Sequence, residues 1–401
     1  MLEKHWSATR ILAVGFALMI LFGGILLWLP IASRGGQGIS FLDALFTATS
    51  ATCVTGLVVA DTWSQFTFFG QGVILLLIQI GGLGFMTVAI LFSLAVGRRI
   101  GLRERSLLAE AISSTQVGGV VRLVRRTLIG TAIIEGSGVA LLAIRFVPLF
   151  GIKRGIWFSV FHSVSAFCNA GFDLMGIRQP LSSLVDFSGD PLVVLTIAFL
   201  IIIGGIGFMV WSDLVDGRFR FGKLKMHTRA VLCSTLVLIL GGMLILWFFE
   251  RNGVLSGMSA GNQALNAFFQ SVTPRTAGFN TVDIAALSDG GKFVTMLLMF
   301  IGAAPGSTGG GVKVTTLAVI TATVFASFRN QEDVSMWRHR IDAETLRRAY
   351  TGVAIYLLLT IGGVLILCAE GVTLTAAAFE CLSAIGRSEE RRVGKECRSR
   401  W

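Results

Sequence analysis

Three polar stretches of eleven residues, each ending in glycine, interrupt strongly apolar parts of this sequence. Starting at residues 46, 161 and 268, they read FTATSATCVTG, FHSVSAFCNAG and FFQSVTPRTAG. Their terminal glycines are Gly56, Gly171 and Gly278, which lie about 110 residues apart. Similarity at a fixed period is typical of a chain built from repeated supersecondary units. We therefore expect one structural unit to recur along this chain.

Seven apolar runs flank these stretches, at roughly 8–30, 66–96, 127–149, 190–214, 229–249, 292–326 and 350–369. A helix needs about 20 apolar residues to cross the hydrocarbon of a bilayer. Only 14% of the residues are charged, against roughly 25% in soluble domains. The first run lacks the small-residue cleavage site of a signal peptide. The sequence therefore predicts a polytopic membrane protein, whose second and sixth runs exceed one simple span and are expected to be tilted, broken or extended.

The net charge of +11 could suggest a nucleic-acid partner, but the Lys and Arg residues cluster in short loops between apolar runs. The membrane interpretation explains these clusters better, and we expect no nucleic-acid partner. Cytoplasmic loops of membrane proteins carry an excess of Lys and Arg. The loops at 99–126, 217–227 and 329–348, together with the N-terminus, are therefore predicted to be cytoplasmic. The three polar stretches then lie toward the outer side.

Each polar stretch begins in a short amphipathic segment between two apolar runs. Irregular backbone at membrane depth is tolerated only where it is buried in protein or lines water. A short helix followed by an extended glycine segment fits a re-entrant pore loop, and four such loops can form a ring of carbonyls that replaces the hydration shell of a cation. The short helices would direct their negative ends inward. The alternative, that these glycines only mark helix packing, does not account for three stretches in register.

The motifs SATCVTGL, SAFCNAGFD, QSVTPRTAGFNTVD and GAAPGSTGGGVKVTT resemble the Trk/Ktr/HKT superfamily of bacterial, fungal and plant potassium transporters. They are most similar to the membrane subunit of bacterial Ktr systems. The resemblance implies a fourfold pseudo-symmetric pore that binds K⁺ through backbone carbonyls only, with no covalently bound cofactor. It implies K⁺ as substrate and Na⁺ as a candidate activator. It also implies a homodimer in the lipid bilayer that docks a cytoplasmic nucleotide-binding regulatory ring of RCK type.

The resemblance assigns the selectivity filter residue by residue. The first three filter segments are Val54, Thr55, Gly56 and Leu57; Asn169, Ala170, Gly171 and Phe172; and Thr276, Ala277, Gly278 and Phe279.

The stretch GAAPGSTGGGVKVTT, residues 302–316, superficially resembles a phosphate-binding loop. Its lysine stands one place late for that motif, and no strand precedes it. Pro, Gly, Ser and Thr within the sixth apolar run instead predict a broken helix. The resemblance implies a gating loop below the filter, with candidate residues Gly302, Pro305, Gly306, Ser307, Thr308, Gly309, Gly310, Gly311 and Lys313. Lys313 would repel cations or bind an acidic partner; alternatively, it extends to the cytoplasmic surface.

Other polar residues near these motifs have weaker assignments. Asp173 and Asp283 are expected at the outer mouth, where they would attract cations. His162 is expected early in a pore helix in a packing or capping role, and Arg275 is expected to point into the protein and brace its loop. Partners for Glu135 and Glu250, in or at the ends of outer helices, are not identified by the sequence.

A fourth stretch, FECLSAIGRSE from Phe379, begins in the same way but departs from the pattern. Ten positions after Phe379 stands Glu389 instead of glycine, and the charged segment 387–401 follows. This segment is either a natural variant or foreign sequence, and we expect the second, because the change after Gly386 is abrupt. The 401-residue chain as it stands is expected to conduct poorly, since its fourth filter segment is missing.

We predict an all-α polytopic membrane protein with four pseudo-repeated helix–pore-loop–helix units around a central pore, the fourth incomplete. The predicted function is K⁺ uptake across the bacterial cytoplasmic membrane. Alternatives are a transporter of Na⁺ or another monovalent cation, or a membrane enzyme, which the lack of HExxH and GxSxG motifs disfavours. The predicted divisions are repeat 1 at 1–98, a basic loop at 99–126, repeat 2 at 127–216, a loop at 217–227, repeat 3 at 228–328, a loop at 329–348, partial repeat 4 at 349–386 and a non-native tail at 387–401.

Overall fold

The computed structural model of the protein describes residues 8–36, 38–84, 120–331, 333–337 and 339–386. These residues fold almost entirely into helices, with one antiparallel hairpin of β1 (Ser335–Met336) and β2 (His339–Arg340). The helices are α1 (Ala8–Trp28), α2 (Phe41–Thr52), α3 (Thr62–Gln65), α4 (Phe68–Leu83), α5 (Val120–Phe150), α6 (Ile152–Phe167), α7 (Pro191–Gly205), α8 (Phe208–Asp216), α9 (Met226–Glu250), α10 (Ala260–Val272), α11 (Asp289–Phe300), α12 (Val314–Phe328), α13 (Ala343–Ala369) and α14 (Leu374–Gly386).

Three of the described helices are long and apolar enough to cross a membrane: α5 over Arg122–Phe150, α9 and α13. Helices α7 and α8 pass the same test as a bent pair, with 89° between them. Four further helices, α2, α6, α10 and α14, have 12 to 16 residues each. These four match the short segments that the sequence predicts before its polar stretches.

The sixth apolar run is broken as predicted, because α11 ends at Phe300 and α12 begins at Val314. The fourth apolar run, 190–214, forms the bent pair α7 and α8 instead of one straight helix. Gly207 there has φ +94°, a backbone conformation that a right-handed helix does not contain. The second run is described as far as Gly84. The predictions for 85–119 and for 387–401, including Glu389, concern residues outside the described ranges.

The chain divides into two compact units, Met1–Ser183 and Leu184–Trp401. In the first unit, α1 and α4 pack on α2, and α5 packs on α6. Helix α4 approaches the end of α2 so closely that a Cβ at Gly81 would collide with the carbonyl oxygen of Thr52. Glycine at this position therefore sets the distance between the short helix and the apolar helix that follows it.

The second unit is organised around α9, which packs against α10, α11 and α12. An apolar cluster joins Ala267 on α10, Met299 on α11 and Phe379 on α14, all with at most 1% of their surface exposed. The carboxylate of Glu250, at the end of α9, accepts hydrogen bonds from the backbone N–H and hydroxyl of Ser288 (3.0 and 2.6 Å). Ser288 caps the N-terminus of α11, so Glu250 fixes the start of that helix.

Candidate functional site

The first candidate segment follows α2, whose N-terminus is capped by Ser40 and whose last turn leads into Cys53. The N–H groups of Val54 and Thr55 donate to the carbonyls of Ala51 and Ser50 (3.2 and 2.8 Å). Val54 has φ +54° and Gly56 has φ +86°. The segment therefore turns back on the end of its own short helix before it continues.

The second segment follows α6 and has an additional side-chain bond. Asn169 has φ +57° and Gly171 φ +72°. The N–H of Ala170 donates to the carbonyl of Ser165 (2.8 Å). The hydroxyl of Ser165 in turn donates to the carbonyl of Phe172 (2.7 Å). One residue of the helix, Ser165, therefore binds both the second and the last residue of the segment.

The third segment follows α10 and is held in the same manner. Thr276 has φ +97° and Gly278 φ +78°. The N–H of Ala277 donates to the carbonyl of Thr273 (2.9 Å), and the Thr273 hydroxyl donates to the carbonyl of Phe279 (2.7 Å). All four residues 276–279 are buried.

A shared backbone conformation links the three segments. In each, the glycine and the residue two positions before it have positive φ, although that earlier residue is Val54, Asn169 or Thr276. Positive φ is a genuine outlier for a β-branched residue such as Val or Thr. Holding a residue in such a conformation costs on the order of 1–3 kcal/mol of free energy, and backbone strain of this kind clusters at functional sites. The segments predicted from the sequence are thus the places where the backbone is strained in the same register.

The gating-loop candidate, residues 302–313, is closed by bonds between its own ends. The N–H of Gly302 donates to the carbonyl of Val312 (3.0 Å), and the N–H of Ala303 donates to the carbonyl of Gly310 (3.1 Å). A Cβ at Gly302 would collide with the Gly310 carbonyl oxygen. Gly311 has φ +69°. The glycines here allow two backbone strands to touch where side chains would keep them apart.

Two side chains complete this loop. The ammonium group of Lys313 donates to the carbonyls of Gly309 (2.8 Å) and Gly310 (3.4 Å). The hydroxyl of Ser307 donates to the carbonyl of Ala304 (2.6 Å). Lys313 thus stabilises the glycine-rich turn from within.

The polar residues beside the second segment are engaged inside the protein. His162 lies in the second half of α6, not early in it, because that helix begins at Ile152. It donates from Nδ1 to the carbonyl of Phe158 (2.8 Å) and accepts at Nε2 from the N–H of Leu174 (3.3 Å). Asp173 is 1% exposed and accepts from the N–H of Met175 (2.8 Å). Its role at an outer mouth stays a prediction.

The remaining charged candidates differ in exposure and in their hydrogen-bond partners. Asp283 is exposed, and its carboxylate accepts from the N–H of Ala285 (3.0 Å). Arg275 is buried as expected, but its Nε has no hydrogen-bond partner in the described part of the chain. Glu135 on α5 accepts a hydrogen bond from the amide of Gln79 (3.2 Å).

Ser165 and Thr273 are functional candidates that the sequence reasoning missed. A hydroxyl residue six or five positions before the filter glycine was the available signal. The first segment has Ser50 at the six-residue spacing, but its hydroxyl has no partner among the described residues. Within the described ranges, no group of three or more His, Cys, Asp or Glu side chains is placed to hold a metal ion.

Comparison with known proteins places these features in a family. Residues 19–387 match the TrkH family, described as cation transport protein. The chain is 42% identical over 385 residues to Ktr system potassium uptake protein B of Bacillus subtilis, covering 95% of this chain and 85% of that protein. It is 39% identical over 390 residues to potassium/sodium uptake protein NtpJ of Enterococcus hirae, covering 96% and 85%.

A solved structure shares the fold. The crystal structure of the potassium transporter TrkH from Vibrio parahaemolyticus matches with a TM-score of 0.70 and 19% identity, covering 98% of this chain and 78% of that one. The resemblance that the sequence motifs indicate is confirmed. The chain is a membrane-embedded ion transporter and not an enzyme, and it belongs to the TrkH family of cation transport proteins.

Proposed function

We propose that this protein takes up K⁺ through a filter lined by the carbonyls of residues 54–57, 169–172 and 276–279. The observation that carries the proposal is the matching pair of positive φ values in the three segments. Successive carbonyls of an extended strand face opposite sides. Alternation between positive and negative φ from one residue to the next allows the carbonyls to face one side, as a carbonyl-lined cation path requires.

The short helices support a cation as the transported ion. Each filter segment begins at the C-terminal end of α2, α6 or α10. That end of a helix carries a partial negative charge equivalent to roughly half an electron. Together with carbonyl ligands, this charge favours a cation over an anion.

The fourfold arrangement belongs to the same proposal. Helix α14 would supply the fourth short helix, but the sequence has Glu389 where the register requires glycine. We expect the 401-residue chain to transport less K⁺ than an extended chain. In that extended chain, residues 1–386 continue with the corresponding C-terminal segment of the Bacillus subtilis relative.

Residues 302–313 act in this proposal as the gate. Their closed hydrogen-bonded turn and the ammonium group of Lys313 would obstruct a cation path. Partners inferred from the resemblance are a second copy of the chain and a cytoplasmic nucleotide-binding ring of RCK type. We place the protein in the bacterial cytoplasmic membrane with its N-terminus inside, because the basic loops favour that orientation.

Growth at limiting K⁺ tests the proposal. A bacterial strain without its own K⁺ uptake systems would express the extended chain, its Gly171→Ser variant or the 401-residue chain, each at a measured membrane level. We expect rescue by the extended chain and loss of rescue in the variant. Failure of the extended chain, or equal growth of the variant, would contradict the filter assignment.

Na⁺ transport is the second candidate, because the Enterococcus hirae relative is named for potassium and sodium. Fluxes of K⁺ and Na⁺ into liposomes containing the purified extended chain would separate the two. A higher flux for K⁺ at equal concentrations supports K⁺ uptake, whereas equal or reversed fluxes support the alternative.

A further inference from the structure

The break between α7 and α8 removes helical partners from three carbonyls. In a continuous helix the carbonyls of Ile203, Gly204 and Gly205 would accept from the N–H groups four residues later. At the break, the indole N–H of Trp211 donates to the Ile203 carbonyl (3.0 Å). The other two carbonyls require donors from elsewhere, because a buried carbonyl without a partner costs free energy.

Those donors come from the gating loop. The N–H of Thr308 donates to the carbonyl of Gly204 (3.3 Å), and the N–H of Ala304 donates to the carbonyl of Gly205 (3.0 Å). In the opposite direction, the N–H of Phe208 donates to the carbonyl of Gly306 (2.9 Å). Three backbone bonds therefore join the break to the loop, and each uses a group that the bend has released.

Glycine at position 207 permits this contact. Its φ of +94° makes the bend, and a Cβ there would lie 2.9 Å from the carbonyl oxygen of Pro305. Contacts under about 3 Å between a Cβ and a backbone oxygen require the backbone to shift. Any larger residue would therefore both resist the bend and push the loop away.

We propose that the segment Gly204–Phe208 is the seat of the gating loop and holds that loop in place. When α7–α8 is bent, the backbone groups of Ala304, Gly306 and Thr308 form hydrogen bonds with it. A straight α7–α8 would instead form its own helical hydrogen bonds and leave these three residues without these partners. The two arrangements are discrete, so straightening the helix releases the loop. This inference rests on the proposed gating role of residues 302–313.

Phe208→Pro tests the seat in the full 401-residue chain. Phe208 is the first residue of α8, a position where proline is tolerated. The substitution removes the N–H that donates to Gly306 and also the buried ring. Phe208→Ala is the matched control, because it removes the ring and keeps the N–H. Amide hydrogen exchange by mass spectrometry, in detergent or nanodiscs, should show about tenfold faster exchange over 303–311 in Phe208→Pro than in Phe208→Ala.

Gly207→Ala tests the same contact from the steric side. Its control is Gly241→Ala in α9, where a Cβ would meet nothing within 4 Å. We expect faster exchange confined to 303–311 and to the residues of the break in Gly207→Ala, and unchanged exchange there in the control. Two results would overturn the proposal that Gly204–Phe208 holds the loop. One is equal exchange over 303–311 in both members of either pair, and the other is faster exchange spread evenly over the helices of the unit.

Flux measurements keep this inference separate from the gating proposal. In the extended chain, Gly207→Ala should raise basal K⁺ flux about tenfold and have no further effect once residues 303–311 are replaced by a short linker. If the linker replacement alone leaves flux unchanged, the gating role fails while the exchange result still decides the seat. If the linker raises flux and Gly207→Ala does not, the seat has no role in gating.

Discussion

The third filter segment and the gating loop are both irregular, glycine-containing stretches of the second unit, but their backbones are held in different ways. The filter segment 276–279 is held by bonds to Thr273, six residues or fewer away. The gating loop is held partly by its own ends and partly by Gly204–Phe208, about 100 residues earlier in the chain.

This difference fits the two different roles proposed for these segments. A segment that hydrogen-bonds to the helix turn beside it keeps one geometry, because both partners move together. A loop whose hydrogen-bond partners lie on another helix keeps its geometry only while that helix stays bent. We therefore expect substitutions in the filter segment to change which ion passes, and substitutions in the loop to change how often ions pass.

The largest effect is expected from Gly278→Ala in the extended chain. Its φ of +78° disfavours any side chain, and a relaxed backbone would turn the carbonyls away from the cation. We expect the ratio of K⁺ to Na⁺ flux to fall roughly a hundredfold. Gly257→Ala is the control, because Gly257 has φ +79° with nothing within 4 Å of a Cβ. A similar fall in the control would mean that the loss reflects general strain and not the filter.

The second effect is an increase in basal flux in Gly302→Ala. The new methyl group would collide with the carbonyl of Gly310 and open the base of the loop. Overpacking of this kind costs on the order of 1–3 kcal/mol, so we expect about thirtyfold higher K⁺ flux. The ratio of K⁺ to Na⁺ flux should stay constant, as it should in Gly241→Ala. A changed ratio would remove the distinction between the two regions.

A smaller increase is expected from Lys313→Met. The substitution removes the ammonium group that donates to Gly309 and Gly310, and bonds from charged donors contribute about 1.5–3 kcal/mol. We expect about tenfold higher basal K⁺ flux in liposomes. Lys313→Arg retains a charged donor and should restore most of the closed behaviour. If Arg and Met behave alike, the lysine does not stabilise the loop through these carbonyls.

The smallest effect is expected from Thr273→Val, which removes the hydroxyl that donates to Phe279 and keeps the shape of the side chain. A neutral hydrogen bond contributes about 1 kcal/mol, so the ratio of K⁺ to Na⁺ flux should fall about fivefold. Thr273→Ser retains the hydroxyl and should behave as the parent. A rise in basal flux without a change in the ratio would assign Thr273 to gating, contrary to the expected division of roles between the filter segment and the gating loop.

Local sequence patterns were sufficient to locate the three strained segments and the break in the sixth run. The common position of glycine at the end of the three polar stretches identified Gly56, Gly171 and Gly278. The run of Pro, Gly, Ser and Thr after residue 302 is incompatible with a continuous helix. The family assignment from four motifs is confirmed. Whether these segments conduct and select K⁺ stays a prediction.

The bend between α7 and α8 could not be predicted in the same way. Its sequence GGIGF lies inside a continuous apolar run, and glycine is frequent in membrane helices. The partners that stabilise the bend belong to residues 304–308, so no local window contains them. One signal was available: the related sequence GGLGF ends α4 at Gly84, which has φ +85°. Two such sequences in register would have indicated that the helix stops before the second one as well.

The bend also constrains how the protein is made. Helix α7 has 15 residues and spans about 22 Å, less than the roughly 30 Å of hydrocarbon. When the ribosome delivers this segment to the membrane, the residues that bind its released carbonyls have yet to be synthesised, since they follow about 100 residues later. At roughly 5–20 residues per second, that delay lasts several seconds or more. The nascent segment must therefore insert straight, or with water or another protein at its glycines, and form these hydrogen bonds only after residues 304–308 have been translated.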